Sequence, residues 1–169
     1  MEVKVIEYER SWPALFELER GLLQQILWRI AVEIHHVGST AVPGLAAKPV
    51  IDMVAEVTGL PELDTLNADL ALLGYEPRGE YGIAGRRYFS KQDGLSGFHL
   101  HAFAHGDSNV MRHLAFRDYL RAHPEIAQEY GALKRSLALR CGNDIGRYCD
   151  GKDAWVKQIE RAAMQEIGC

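Results

Sequence analysis

The chain has 169 residues, a hydrophobic fraction of 47% and a formal net charge of −4. That length suits one domain, or a core with an attached lobe, and the apolar content is ample for a buried interior. The acidic balance excludes a broad basic face for nucleic acid, though not a local basic pocket, and no apolar run is long enough to span a membrane.

In chain order, Val3 to Tyr8 reads as a short strand. Ser11 and Pro13 mark the start of a helix over Trp12 to Ile30, where Phe16, Leu22, Leu23, Ile26 and Leu27 recur at helical spacing. Val32 to Val37 is β-branched and apolar, hence a strand; Val50 to Val57 is a near-continuous apolar run, as in a central strand covered on both faces. Pro61 to Leu73 predicts a helix closed by Gly74. Arg87 to Lys91 and Phe98 to Ala104 predict two strands joined through Gln92-Asp93-Gly94, a hairpin with a loop longer than the tightest kind. From Asn109 the pattern is helical, with helices near Val110 to Ala122, Pro124 to Arg140 and Asp144 to Ile167, separated by His123-Pro124 and Cys141-Gly142. A mixed sheet followed by a run of helices is an α+β arrangement. The break near Gly106-Asp107 divides a sheet core, residues 1–106, from a helical lobe, residues 107–169, within a single domain, and a cleft between them is the expected ligand site.

The N-terminus, Met1-Glu2-Val3-Lys4, lacks the regions of a signal peptide. Cys141, Cys149 and Cys169 follow no metal or disulfide spacing, so a reducing, cytoplasmic setting is expected and none of the three is assigned to chemistry.

The stretch from His36-Val37-Gly38-Ser39-Thr40 through Ala41-Val42-Pro43-Gly44-Leu45-Ala46-Ala47-Lys48-Pro49 to Val50-Ile51-Asp52 carries most of the functional signal. An apolar strand ends in Gly-Ser, a small-residue loop follows, and the next strand bears one carboxylate. Glycine lets the backbone approach an anion, and serine adds a hydroxyl beside backbone N–H donors that cradle phosphate. Asp52 on the neighbouring strand is a hard oxygen ligand for Mg²⁺. An ordinary strand–turn–strand competes with this reading.

These motifs resemble the GrpB family (UPF0157-type), which has the nucleotidyltransferase superfamily fold and is also appended to some dephospho-CoA kinases. The resemblance extends over Trp12-Pro13, Phe16, Leu73-Gly74-Tyr75, Gly85-Arg86-Arg87, His99-Leu100-His101, the string Arg112 to Arg121, Tyr130, Leu133-Lys134 and Gly151-Lys152. It implies a nucleotidyltransferase-like mixed sheet followed by helices, with Gly38, Ser39, Lys48, Arg87, Arg117, Lys134 and Lys152 disposed to bind the phosphates of a nucleotide and Asp52 and Ser39 at the catalytic position. Arg121 and Arg86 are read as solvated, and Tyr148 as either a base-stacking ring or a buried one.

Enzymes of that fold place two carboxylates two residues apart on the strand after the Gly-Ser loop, so that both face two Mg²⁺ ions. Here Asp52 stands alone: the second position is Val54, and Glu56 lies roughly 13 Å along the strand, where a solvated acid is expected. His99 and His101 project to one face of a later strand. With Asp52 they form a candidate metal set for Mg²⁺, Mn²⁺ or Zn²⁺, or they bind phosphate or move protons near neutral pH. His36 lines the site in this reading; His35, His105, His113 and His123 are structural or solvated. Three functions remain open at this point. They are metal-dependent nucleotidyl transfer from a nucleoside triphosphate, a non-catalytic nucleotide- or CoA-related binding module, and metal-assisted phosphotransfer or hydrolysis at Asp52, His99 and His101. In each, the partner is a nucleotide or another phosphate-bearing small molecule.

Overall fold

The computed structural model describes residues 2–168, so Cys169 lies outside the described residues. Helix α1 (Trp12–Leu27) begins at Ser11 with Pro13 in its first turn and lays Trp12, Phe16, Leu23 and Leu27 against the sheet. Strand β1 (Ala31–Val37) runs antiparallel to β2 (Val50–Val57). The segment expected as one helix from Pro61 is two, α2 (Leu60–Asp64) and α3 (Asn67–Leu72). The Thr65 hydroxyl donates to the Glu62 carbonyl at 2.6 Å between them, a side-chain bond that competes with helix continuation. A short edge strand, β3 (Glu76–Pro77), was not foreseen; β4 (Arg86–Asp93) and β5 (Ser96–Ala104) follow. Their hairpin is tighter than expected. Asp93 pairs with Ser96, leaving Gly94 and Leu95 as the turn, with Gly94 at φ +58° in the first central position, as a type II′ turn requires.

The sheet order is β1-β2-β5-β4-β3, and β2–β5 is its parallel pair. On β2, Ile51, Met53, Ala55 and Val57 point into the main core under α1 to α3, while Asp52, Val54 and Glu56 share the opposite face. There Val54 packs with Val37 and Phe103 beneath Val110 of helix α4 (Ser108–Ala122). Asp107 caps α4 by accepting from the Asn109 backbone N–H at 2.8 Å. Helices α5 (Pro124–Arg140) and α6 (Ile145–Glu166) complete the helical part. Its own apolar cluster, Phe116, Leu120, Ala127, Tyr130 and Ile159, takes in Val42 and Leu45 of the loop between β1 and β2. The fold is therefore the expected α+β one, a mixed sheet followed by helices. Val3 to Tyr8 departs from expectation: it follows the 45–47 loop rather than a strand edge, and Ile6 alone pairs, with Ala47.

A buried polar knot ties α1 to β4 on the same face of the sheet. Glu19, 4% exposed, accepts from the Tyr75 hydroxyl at 2.8 Å and from Lys91 Nζ at 2.8 and 3.1 Å. Removing one partner of such a pair strands the other in a low-dielectric site. Glu19→Ala is expected to cost about 3–5 kcal/mol in urea unfolding, and the double variant Glu19→Leu/Lys91→Met to recover most of that loss. A single-variant cost below about 1 kcal/mol would contradict the assignment.

Candidate functional site

The parallel register sets Asp52 beside His99 on β5 and one step from His101. Asp52 Oδ1 lies 3.4 Å from His99 Nδ1 and 3.3 Å from His101 Nε2. Arg86, buried on β4, donates to His101 Nδ1 at 3.2 Å. A guanidinium only donates, so Nδ1 accepts and the ring hydrogen sits on Nε2, aimed at Asp52. Burial alone would raise the Asp52 carboxyl; the hydrogen bonds and charges of His101 and His99 outweigh it and hold the group well below the usual carboxylate range.

Gly38 and Ser39 stand at the turn after β1, with Val37 paired to Asp52. Gly38 adopts φ 72°, and a Cβ there would sit 2.8 Å from Asp52 Oδ2, so conformation and space both call for glycine. The loop then returns to bring Lys48 to the same place.

Two adjoining cavities meet at Ser39, Asp52, Cys149 and Lys152. The smaller, about 210 Å³, is bordered by His99, Lys48, Lys134 and Lys152. Lys134 on α5 is 2% exposed, and its ammonium has no hydrogen-bond partner among the described residues. It rests 4.3 Å from the centre of the Tyr130 ring. Burial first, then the charges of Lys152 and Arg135, push this amine down to about 6; burial and Lys152 also lower Lys48. Tyr148 is buried between Lys48 and Lys152, whose ammonium groups lie 5.3 and 5.4 Å from its ring centre, so it is a packed ring.

The larger cavity, about 650 Å³, combines apolar walls (Val37, Ile83, Phe116, Tyr130, Val156) with polar groups that sequence reading passed over. Arg112 pairs with Glu160 at 2.8 Å across its rim. His113 donates Nδ1–H to the Asn109 carbonyl at 2.7 Å, which leaves Nε2 an acceptor; burial and His101 push its pKa down to about 4. Cys149, set aside on spacing grounds, borders both cavities.

Of the residues expected here, Gly38, Ser39, Lys48, Asp52, His99, His101, Lys134 and Lys152 converge. Arg87 and Arg117 do not. Arg87 pairs with Asp64 at 2.7 Å, because neighbours on a strand face opposite ways and Arg86 takes the inward one. Arg117 donates to the His36 carbonyl at 3.0 Å and Arg121 to the Ala41 carbonyl at 2.8 Å, so both brace the loop. His36 is buried, stacked on Phe16 and bonded to the Thr40 hydroxyl at 2.9 Å, away from the cleft. Glu56 is no solvated acid: it bridges His35 at 2.8 Å and His105 at 2.7 Å.

With its hydrogen on Nε2, His101 points a donor at Asp52, so a zinc-type ion held by Asp52, His99 and His101 would have to displace that hydrogen. A second strand carboxylate for a metal pair is also missing, with Val54 in an apolar cluster and Glu56 committed elsewhere. Asp52 Oδ2 suits one hard cation shared with phosphate oxygens. No helix among the described residues is long and apolar enough to cross a membrane.

A family model described as GrpB protein matches residues 2–162. The crystal structure of conserved protein GrpB from Enterococcus faecalis superposes with a TM-score of 0.92 at 40% identity, covering 97% of this chain and 99% of that one. UPF0157 protein YqkA of Bacillus subtilis is 43% identical over 164 residues, 97% of this chain but 48% of YqkA, so the chain spans about half the length of that relative. A dephospho-CoA kinase of Mycolicibacterium paratuberculosis is 28% identical over 186 residues, covering 95% of this chain and 46% of the kinase. The chain belongs to the GrpB family.

The lowered Lys134 amine has a stability consequence. Between pH 6 and the ordinary lysine range the unfolded chain binds more protons than the folded one, so this group's cost is greatest at and below pH 6 and fades as pH rises. Lys134→Met is expected to stabilise the ligand-free protein most at pH 6 and progressively less towards pH 10, measured by urea unfolding at several pH values. A pH-independent difference would contradict it.

Proposed function

We propose that this GrpB-family chain binds a phosphate-bearing small molecule, a nucleoside triphosphate being the form that suits its two joined cavities. The phosphates lie among Lys48, Lys134, Lys152, Gly38 and Ser39, and the organic part occupies the larger cavity between Phe116, Tyr130 and Val156. The observation that carries this reading is the Lys134 ammonium, buried and unpartnered in a cavity that two further lysines border. Burial pushes this amine down to about 6, so near neutral pH it sheds its proton in the ligand-free protein, and an anionic ligand that supplies the counter-charge favours the protonated form.

Asp52 meets the ligand where the cavities join. Asp52 would hold a single Mg²⁺ or Mn²⁺, which would supply electrostatic stabilisation of the phosphate charge. Two-metal nucleotidyl transfer is disfavoured by the lone strand carboxylate, which leaves nucleotide binding ahead of it. The name of the mycobacterial relative adds dephospho-CoA to the ligands worth testing.

Thermal unfolding with ATP, GTP, CTP, UTP and dephospho-CoA, each with and without Mg²⁺ or Mn²⁺, tests the reading. A ligand at a hundredfold excess over its Kd adds about 2.7 kcal/mol, and Lys134→Met should abolish that gain. Absence of stabilisation by every phosphate compound would overturn the reading. Asp52→Asn should remove only the part of the gain that depends on the divalent ion, because it deletes charge while keeping shape. An unchanged metal response would exclude Asp52 as the ion's ligand.

A further inference from the structure

We propose that His99 is a nucleophile that takes the terminal phosphoryl group of a nucleoside triphosphate onto Nε2; this rests on the binding reading above. Three histidines approach the cleft, and their surroundings differ. His101 has both nitrogens engaged, Nδ1 by Arg86 and Nε2 by Asp52. His113 borders the larger cavity and not the lysine-lined one. His99 alone among them borders the small cavity with Lys48, Lys134 and Lys152. Its Nδ1 lies 3.4 Å from Asp52 Oδ1, and the nearby carboxylate favours the tautomer with the hydrogen on Nδ1, which leaves the lone pair on Nε2. No described residue bonds to that nitrogen. The Tyr88 ring meets the imidazole edge-on, with centroids 5.4 Å apart, and fixes its plane.

The arrangement is that of an activated imidazole with a carboxylate behind it. Because His99 borders the lysine-lined cavity and not the larger one, the phosphorus it meets is the one farthest from the organic part of the ligand. The Nε2 lone pair forms the N–P bond while the bond from that phosphorus to its bridging oxygen breaks, and the electron pair leaves on the nucleoside diphosphate. No proton is lost from His99: the Nδ1 hydrogen stays against Asp52, whose charge stabilises the positive ring. The lysines stabilise the departing and transferred oxygens. Water or an acceptor hydroxyl then takes the phosphoryl group, the N–P electron pair returns to Nε2, and the acceptor's proton passes to solvent.

The test uses the full chain with each of the four common nucleoside triphosphates, labelled in separate samples at the α or the γ phosphate, with and without Mg²⁺. Samples are quenched in alkali from milliseconds to minutes. The expected result is a γ-derived label, stable to alkali and lost in mild acid, mapped to His99 by fragmentation mass spectrometry. His99→Gln should lose the label at least tenfold beyond any loss of triphosphate occupancy, read by calorimetry on the same variant; His101→Gln should keep a detectable label. Triphosphate binding without label, label from the α phosphate, or label on another residue each overturns the nucleophile and leaves the binding reading standing. No binding of any triphosphate overturns the nucleophile, and if dephospho-CoA also fails to bind, the binding reading falls with it.

Discussion

The parallel pairing of β2 with β5 is the constraint on which the cleft depends. It makes Asp52 and His99 register partners and puts His101 within reach of the same carboxylate oxygen. An antiparallel neighbour on the other side aligns Val37 with Asp52 and so delivers Gly38 and Ser39 to the same end. A one-residue slip would turn Asp52 into the core and Met53 outward. The apolar residues that alternate with the site residues, Ile51, Met53 and Leu100, prevent that slip because each is fully buried.

Two lysines are drawn into the interior of this acidic chain, and they are treated differently. Lys91 meets Glu19, which also receives the Tyr75 hydroxyl, so its charge is matched within the fold. Lys134 has the face of Tyr130 for company and no carboxylate. The helices that enclose it are anchored firmly: Arg117 and Arg121 of α4 hold the carbonyls of His36 and Ala41, and Val42 and Leu45 join the helical cluster. The burial of Lys134 is therefore built in by packing, and the missing counter-charge is left to come from outside the chain.

Sequence alone made some of this legible. The bounds of β2 and α5 were readable because a continuous apolar run and the His123-Pro124 and Cys141-Gly142 breaks are strong local signals. The split after Asp64 was not, since it turns on one threonine hydroxyl finding one carbonyl. That His99 and His101 share the face that meets Asp52 was legible from period-two spacing on a strand, and the place of Ser39 from the Gly-Ser end of the β1 run. Arg86, expected to be solvated, faces His101, and Arg87, expected at phosphate, faces Asp64, because adjacent strand residues face opposite ways and a lone sequence does not say which face is inward. Arg117 and Arg121 do share a helix face, but that face meets loop carbonyls, a contact 80 or more residues away in sequence. His113 was passed over for the same reason: its neighbours His101 and Phe103 come to it only through the fold.

The hold on His101 has a consequence for how the cleft tolerates change. Arg86 is itself fixed by main-chain oxygens, donating to the carbonyls of Glu80 and Tyr81 at 3.1 and 2.5 Å. The side chains at those two positions are exposed and take no part in these bonds. The location of a hydrogen on an inner imidazole is thus set by the route of a surface loop, which Glu80 Oε1 holds by accepting from the Gly85 backbone N–H at 2.9 Å and Tyr81 holds by stacking on Tyr88. Substitutions that keep those two contacts leave that hydrogen where it is, whereas a single insertion or deletion between 79 and 85 would move it.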